Sequence, residues 1–238
     1  MAESIGIMQP YLFPYLGYFS LIKHTDKWVV FDTVQFINKG WINRNRILKQ
    51  GGDNVGFLTV PVKKASRDML IKDVLIDKEQ RWKSKIFGQL TYYKKKAPFY
   101  EPTMKIVNVI LEFETNNINE LNVFALEKIC DYLGIRFKFS FFSKNNYGID
   151  TVAAPDEWAL KITKHLNFKT YINLPGGINF FDLEKYKREN IDLKFLAIKL
   201  EPYKTFNDRF IPGLSIIDVM MFNSPQRINE MLDNYEFI

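Results

Sequence analysis

The residues best equipped for chemistry stand close together near the start of the chain. Gln9-Pro10-Tyr11 is followed by Tyr15-Leu16-Gly17-Tyr18, then Asp32 and Gln35, then Trp41-Ile42-Asn43-Arg44-Asn45-Arg46. The last run puts an aromatic, two amides and two guanidinium groups in six positions of an expected loop. That combination suits stacking on a base and pairing with phosphate, and it equally suits a surface turn with ordinary arginines. Asp32 is placed to accept a proton, or to act as a cap or turn-forming side chain. His24 either faces the same site or closes the helix that precedes it. Far downstream, Asn173 with Gly176-Gly177 could bring backbone close to a ligand, or form a plain turn.

Hydrophobic patterning supplies the elements that would carry these groups. Ser4 to Met8 is a short apolar strand, stopped by Pro10. Pro14 can open a helix through Tyr18, Phe19, Leu21 and Ile22, and Trp28 to Phe31 is a continuous apolar run suited to a strand covered on both faces. Strand, loop, helix and strand within about thirty residues is the plan of a parallel βαβ unit, in which ligands bind beyond the carboxyl ends of the strands. Gln9, Pro10, Tyr11, Asp32 and Gln35 would then share one crevice.

Residues 56–62 read as a further strand with 74–76 pairing nearby. Helices are expected at 77–96, 103–115 and 118–134, the last closed by Gly134. Strands near 136–142, 170–173 and 192–198 alternate with helices near 155–166 and 181–189, and 216–222 and 225–232 read as closing helices. The expectation is one α/β domain over 1–238, Rossmann-like, with a mostly parallel sheet and a mainly helical insertion at about 77–134.

Composition narrows the function classes. The 238 residues carry 33 Lys+Arg against 27 Asp+Glu, a net +6 of mixed sign, which gives a moderate field and does not favour nucleic acid as partner. Lys94-Lys95-Lys96 stands at an expected helix end, where cations favour the carbonyl pole. A single Cys excludes an internal disulfide, no apolar run is long enough to span a bilayer, and the opening MAESIGIMQP lacks the pattern of a signal peptide, so the cytoplasm is the expected compartment. His24 and His165 stand apart from any Cys/His cluster, so no metal site is expected, and no cofactor can be named. Cys130 shares a helical stripe with Leu126, Ile129 and Leu133, which reads as a buried small hydrophobe. The glycine fingerprints of P-loop and dinucleotide-binding proteins are absent.

The segments MQPYLFPYLGYFSLI, FDTVQF and GWINRNRI resemble the opening signature of the WbqC-like proteins. Further echoes are Pro61-Val62, Thr170 to Asn173 with Gly176-Gly177, and Leu214 to Asp218, so the likeness covers nearly the whole chain. The resemblance implies a place in bacterial surface-polysaccharide (O-antigen, lipopolysaccharide) biosynthesis. It suggests a transferase that moves an acyl or aminoacyl group to the amine of a nucleotide-linked sugar, with an acyl or aminoacyl carrier protein as a second partner. On that reading Asp32 is the general base, Asn45 and Tyr18 are donors near the oxyanion, and Arg44 or Arg46 holds phosphate. The strand, loop and Leu-Ile helix are also similar to nucleotidyltransferases with a His-x-Gly-His loop, with Tyr15 and Tyr18 at the histidine positions. Tyrosine carries no positive charge at neutral pH, which weakens that parallel. Nucleotidyl or adenylyl transfer, or a non-catalytic module binding a nucleotide sugar or carrier protein, are the alternatives.

Overall fold

The protein is described by a computed structural model covering every residue except Met1, Ala2, Gly51, Asp53, Asp150, Asn207 and Asp208. β1 (Ser4–Met8) lies at the centre of a six-stranded sheet because it is apolar on both faces. Ile5 and Ile7 are buried towards one side, while Gly6 allows the Trp28 ring to lie against the other. A Cβ at Gly6 would fall 2.7 Å from that ring. After the loop 9–15, α1 (Leu16–Lys23) returns the chain to the amino edge, where β2 (Lys27–Val30) starts and pairs parallel with β1, Ile5 opposite Lys27. This is the βαβ unit that the sequence pattern predicts.

Between β2 and the next strand of this sheet, the chain builds a separate antiparallel pair and three helices. β3 (Arg44–Leu48) pairs with β4 (Val55–Thr59), Arg44 opposite Thr59. Most of Trp41-Ile42-Asn43-Arg44-Asn45-Arg46 is therefore strand or its approach, and not a free loop. The expected strand at 56–62 ends at Thr59, and 74–76 contributes only the isolated bridges Val62–Ile76 and Leu75–Asn117. The helix expected from 77 begins only at Trp82, as α2 (Trp82–Thr91), because the Asp77 carboxylate accepts from the Glu79 N–H at 3.1 Å and from Gln80 Nε2 at 2.6 Å and holds a turn instead. α3 (Tyr100–Glu112) and α4 (Ile118–Leu133) follow. The Asn117 side chain caps α4 by accepting from Asn119 N at 2.8 Å, and Gly134 ends it in the left-handed region at φ +68, as its sequence position predicts.

β5 (Phe139–Phe141) then adds to the sheet beside β2, shorter than the 136–142 expected. α5 (Glu157–His165) leads to β6 (Thr170–Asn173), α6 (Leu183–Arg188) to β7 (Asp192–Ile198), and α7 (Ile216–Phe222) and α8 (Pro225–Asp233) to the antiparallel edge strand β8 (Tyr235–Phe237). The sheet order is β5-β2-β1-β6-β7-β8, all parallel except β8, with helices on both faces: a Rossmann-like α/β fold. One apolar cluster joins α1, α4, α7 and α8 to the β3–β4 layer, and a second packs α5 and α6 on Ile5, Ile7, Val29 and Tyr171.

Strand order reverses at β1, whose neighbours β2 and β6 lie on opposite sides. The carboxyl ends of β1 and β6 diverge there, which is where open parallel sheets form a ligand crevice.

Candidate functional site

A crevice of about 610 Å³ opens at this switch point. From β1 and its loop come Met8, Gln9, Tyr11 and Tyr15; from β6 and the short helical turn Pro175–Phe180 come Asn173, Gly176, Gly177 and Phe180. Phe31, Trp41, Trp158, Tyr171 and Phe181 complete walls that are mainly aromatic, and among the described residues no charged side chain lines them. Trp41 and Phe180 remain 43% and 53% exposed, so an aromatic rim faces solvent.

Local geometry explains how the loop presents its tyrosines. Leu12 and Phe13 are driven into the core, and Phe13 takes φ +44 to let the chain turn between them and Tyr15. Gly17 lies under the Tyr15 ring, and a Cβ there would meet it at 2.5 Å, so only glycine lets Tyr15 fold back over the start of α1. Burial raises the Tyr11 hydroxyl above its ordinary value, and burial followed by Tyr11 raises that of Tyr15, so both stay protonated through neutral pH. Each is a neutral donor and acceptor in the crevice.

Tyr18 has a different place from the one its spacing suggests. Its ring is fully buried, 5.1 Å from that of Trp28, and its hydroxyl donates to the Gln9 carbonyl at 2.7 Å. It fixes the backbone of Gln9 from beneath and does not reach the crevice. Pro10 is likewise buried, its carbonyl accepting from Asn122 Nδ2 at 2.7 Å. The same Nδ2 donates to the Ile42 carbonyl at 2.7 Å, Asn45 Nδ2 donates to the Leu12 carbonyl at 3.0 Å, and the Leu12 N–H donates to the Trp41 carbonyl at 3.0 Å. These bonds tie the wall bearing Tyr11 to the wall bearing Trp41. Asn45 is thus a strut between the signature loop and β3.

Asp32, at the carboxyl end of β2, is fully buried beside the crevice and not part of its lining. Asn119 Nδ2 donates to its Oδ2 at 2.8 Å, Ser143 Oγ to Oδ2 at 2.6 Å, and the Ser143 N–H to Oδ1 at 3.0 Å. A carboxylate so enclosed joins β2 to α4 and to the segment after β5. Gln35 lies on the surface, donating to the Arg67 carbonyl, while its neighbour Val34 reaches the crevice. Asn43 donates to the Val60 carbonyl at 3.0 Å. Arg44 covers the Phe57 ring at 4.4 Å and donates to the Lys39 carbonyl; Arg46 donates to the Gly213 carbonyl at 2.8 Å and stands 5.9 Å from the Trp41 ring. Both guanidinium groups hold loops and neither lines the crevice.

His24 is a correction to the expectation that it faces the site. A helix that starts at the carboxyl edge ends at the amino edge, so His24 sits at the far end of the sheet. There its ring contacts the Ser20 carbonyl, Asp233 and Tyr235. Cys130 is buried as its stripe predicts, and burial raises its thiol well above the ordinary value. Among the described residues no group of His, Cys, Asp or Glu could hold a metal ion.

Of the residues expected at the site, Gln9, Tyr11, Tyr15, Trp41, Asn173, Gly176 and Gly177 line this crevice; Phe31, Trp158, Tyr171, Phe180 and Phe181 line it as well, with no sequence expectation. Their signal was available: Phe31 ends the β2 run, and the turn after β6 must border the same edge as the loop after β1.

A family model described as the WbqC-like protein family matches residues 9–230. The chain is 26% identical over 227 residues to an uncharacterized protein of Mycobacterium tuberculosis (strain ATCC 25618 / H37Rv), covering 93% of this chain and 94% of that one. No solved structure matches. No helix among the described residues is long and apolar enough to cross a membrane.

Proposed function

Since the chain belongs to the WbqC-like protein family, we propose that it is a cytoplasmic transferase that acylates the amine of a nucleotide-linked sugar for bacterial surface polysaccharide, with the sugar seated in the β1–β6 crevice. The observation that carries this reading is the uncharged, aromatic character of the crevice, broken by the two carboxamides of Gln9 and Asn173. The C–H faces of a sugar or the plane of a base pack on aromatic rings, and carboxamides pair with hydroxyl groups as both donor and acceptor.

A neutral crevice also favours an amine that arrives unprotonated, because burying an ammonium without a carboxylate is costly. Attack of such an amine on an activated acyl group needs orientation and oxyanion donors more than a side-chain base. The Tyr11 and Tyr15 hydroxyls and the Gln9 and Asn173 carboxamides are donors in the crevice lining. Asp32 takes no part as a base in this reading, and its enclosed hydrogen bonds favour a structural role. Nucleotidyl transfer is disfavoured, since Tyr18, at the second histidine position, is buried in the core and neither tyrosine carries the positive charge that the histidines would supply to the transferring phosphoryl group.

Trp41 and Trp158 line the site, so intrinsic fluorescence reports binding. Titration with a panel of nucleotide-linked amino sugars should quench the signal saturably for at least one member, and mass spectrometry with an activated acyl donor should show the acylated product. Saturable quenching with no product from any donor, acyl carrier thioesters included, would establish the non-catalytic binding module instead. No quenching across the panel would remove the sugar from this crevice.

A further inference from the structure

The amino edge of the sheet, opposite the crevice, gathers cations that the fold leaves unneutralised. β2 and β5 pair with Trp28 opposite Phe139, so Lys27 and Lys138 stand side by side one step earlier, on the same face of the sheet. The Trp28 N–H donates to the Lys138 carbonyl at 2.8 Å and fixes that register. Like charges directly opposite on neighbouring strands oppose pairing. Arg136, two residues before Lys138, joins them around a cavity of about 520 Å³.

Two carboxylates, Glu3 and Asp26, line the same cavity but form no ion pair with Lys27, Arg136 or Lys138 among the described residues. Asp26 accepts from the Ser4 N–H at 2.8 Å and Ser4 Oγ at 3.0 Å, and Lys23 pairs with Asp233 at 2.7 Å. Among the described residues, no ion pair engages Lys27, Arg136 or Lys138. Burial, then Lys138, lowers the Lys27 ammonium from its ordinary value, as expected of a cation without a counter-ion.

We propose that this cavity binds a phosphate-bearing anion, with the planar fork of Arg136 and the two ammonium groups of Lys27 and Lys138 converging on its oxygens. A phosphoryl group answers this arrangement better than a single carboxylate, because it offers three oxygens and up to two charges. The volume leaves room for a group attached to the phosphate, and Glu3 and Asp26 on the wall exclude a second anion. The site is separate from the crevice and stands whether or not the crevice takes a sugar.

The test uses the full chain with inorganic pyrophosphate as probe, against sodium chloride of equal ionic strength. Pyrophosphate should raise the wild-type Tm by about 2–5 °C, and the affinity measured by calorimetry should fall about tenfold or more in Lys138→Gln and in Lys27→Gln. Without added anion at low salt, each variant should melt at or above the wild type, because a repulsion has been removed. Cosedimentation with phosphatidylglycerol vesicles, compared with phosphatidylcholine, identifies the source. Vesicle binding lost in Lys138→Gln assigns a lipid headgroup, and pyrophosphate binding without vesicle binding assigns a soluble phosphate compound. A Tm rise no larger than chloride gives, a rise that persists in both variants, or both variants melting well below the wild type at low salt overturns the proposal.

Discussion

Asp218 should make the protein lose stability as pH rises from about 4 to about 6, and Asp218→Asn should abolish that loss. Its carboxyl is fully buried at the start of α7, where Tyr93 donates to Oδ2 at 2.5 Å, the Leu48 N–H to Oδ2 at 3.3 Å and Tyr203 to Oδ1 at 2.9 Å. Burial outweighs these three donors and lifts its pKa from 3.8 to about 6. A carboxyl raised in the folded state holds its proton more tightly there than in the unfolded chain. Stability is therefore complete below pH 4, falls through the window up to about 6, and is level above it. A shift of about two units corresponds to about 3 kcal/mol, or about 6–12 °C in Tm for a chain of this size. Asparagine keeps the shape, can place its oxygen against Tyr93 and Leu48, and can donate to the Tyr203 oxygen. The assay is urea unfolding of both proteins at half-unit steps from pH 4 to 8, plotted as the difference between them. The difference should grow in favour of Asp218→Asn between pH 4 and 6 and then stay constant. A flat difference across that range, or one that grows in the opposite sense, would refute the claim that desolvation dominates at this site.

Asn122→Ala leaves the Pro10 and Ile42 carbonyls buried without a donor, so it should cost about 2–4 kcal/mol by thermal unfolding and weaken ligand quenching of Trp41; unchanged stability would show that the two walls do not depend on this strut. Gly17→Ala pushes the Tyr15 ring out of its place, and the resulting protein should fold but lose affinity for the crevice ligand by about tenfold, a prediction that equal titration curves would defeat. Asp32→Asn turns an amide towards Asn119 or Ser143 and should destabilise by about 1–3 kcal/mol while the folded fraction keeps its turnover; a fully folded but inactive variant would restore Asp32 as a base. Cys130→Ala should cost about 1–2 kcal/mol through a small cavity, with activity retained and the wild-type thiol slow towards thiol reagents in the native state; rapid native labelling would contradict its burial.

Much of the scaffold was legible because the signals are local. β6, β7 and α7 occupy the spans that their apolar runs predict, and Gly134 ends α4 as expected because a left-handed glycine acts within one turn. The spacing of strand, loop, helix and strand predicted the β1–α1–β2 unit and a ligand edge at its carboxyl ends; that β6 lies on the other side of β1, and so opens the crevice between β1 and β6 and not between β1 and β2, was decided by the tertiary fold. Side-chain destinations were not legible in the same way. Arg44, Arg46, Asn45 and Asp32 are polar groups whose partners lie up to 167 residues away, at Gly213, Leu12, Asn119 and Ser143. A sequence shows that such a group must be satisfied; only the packing of distant segments decides whether ligand or backbone satisfies it. Loops that follow the carboxyl ends of parallel strands share one edge of the sheet, so Tyr15 and Trp41 could be placed near one another. Whether Tyr18 turned outward or inward depended on the Trp28 ring and the Gln9 carbonyl, which the folded chain alone brings beneath it.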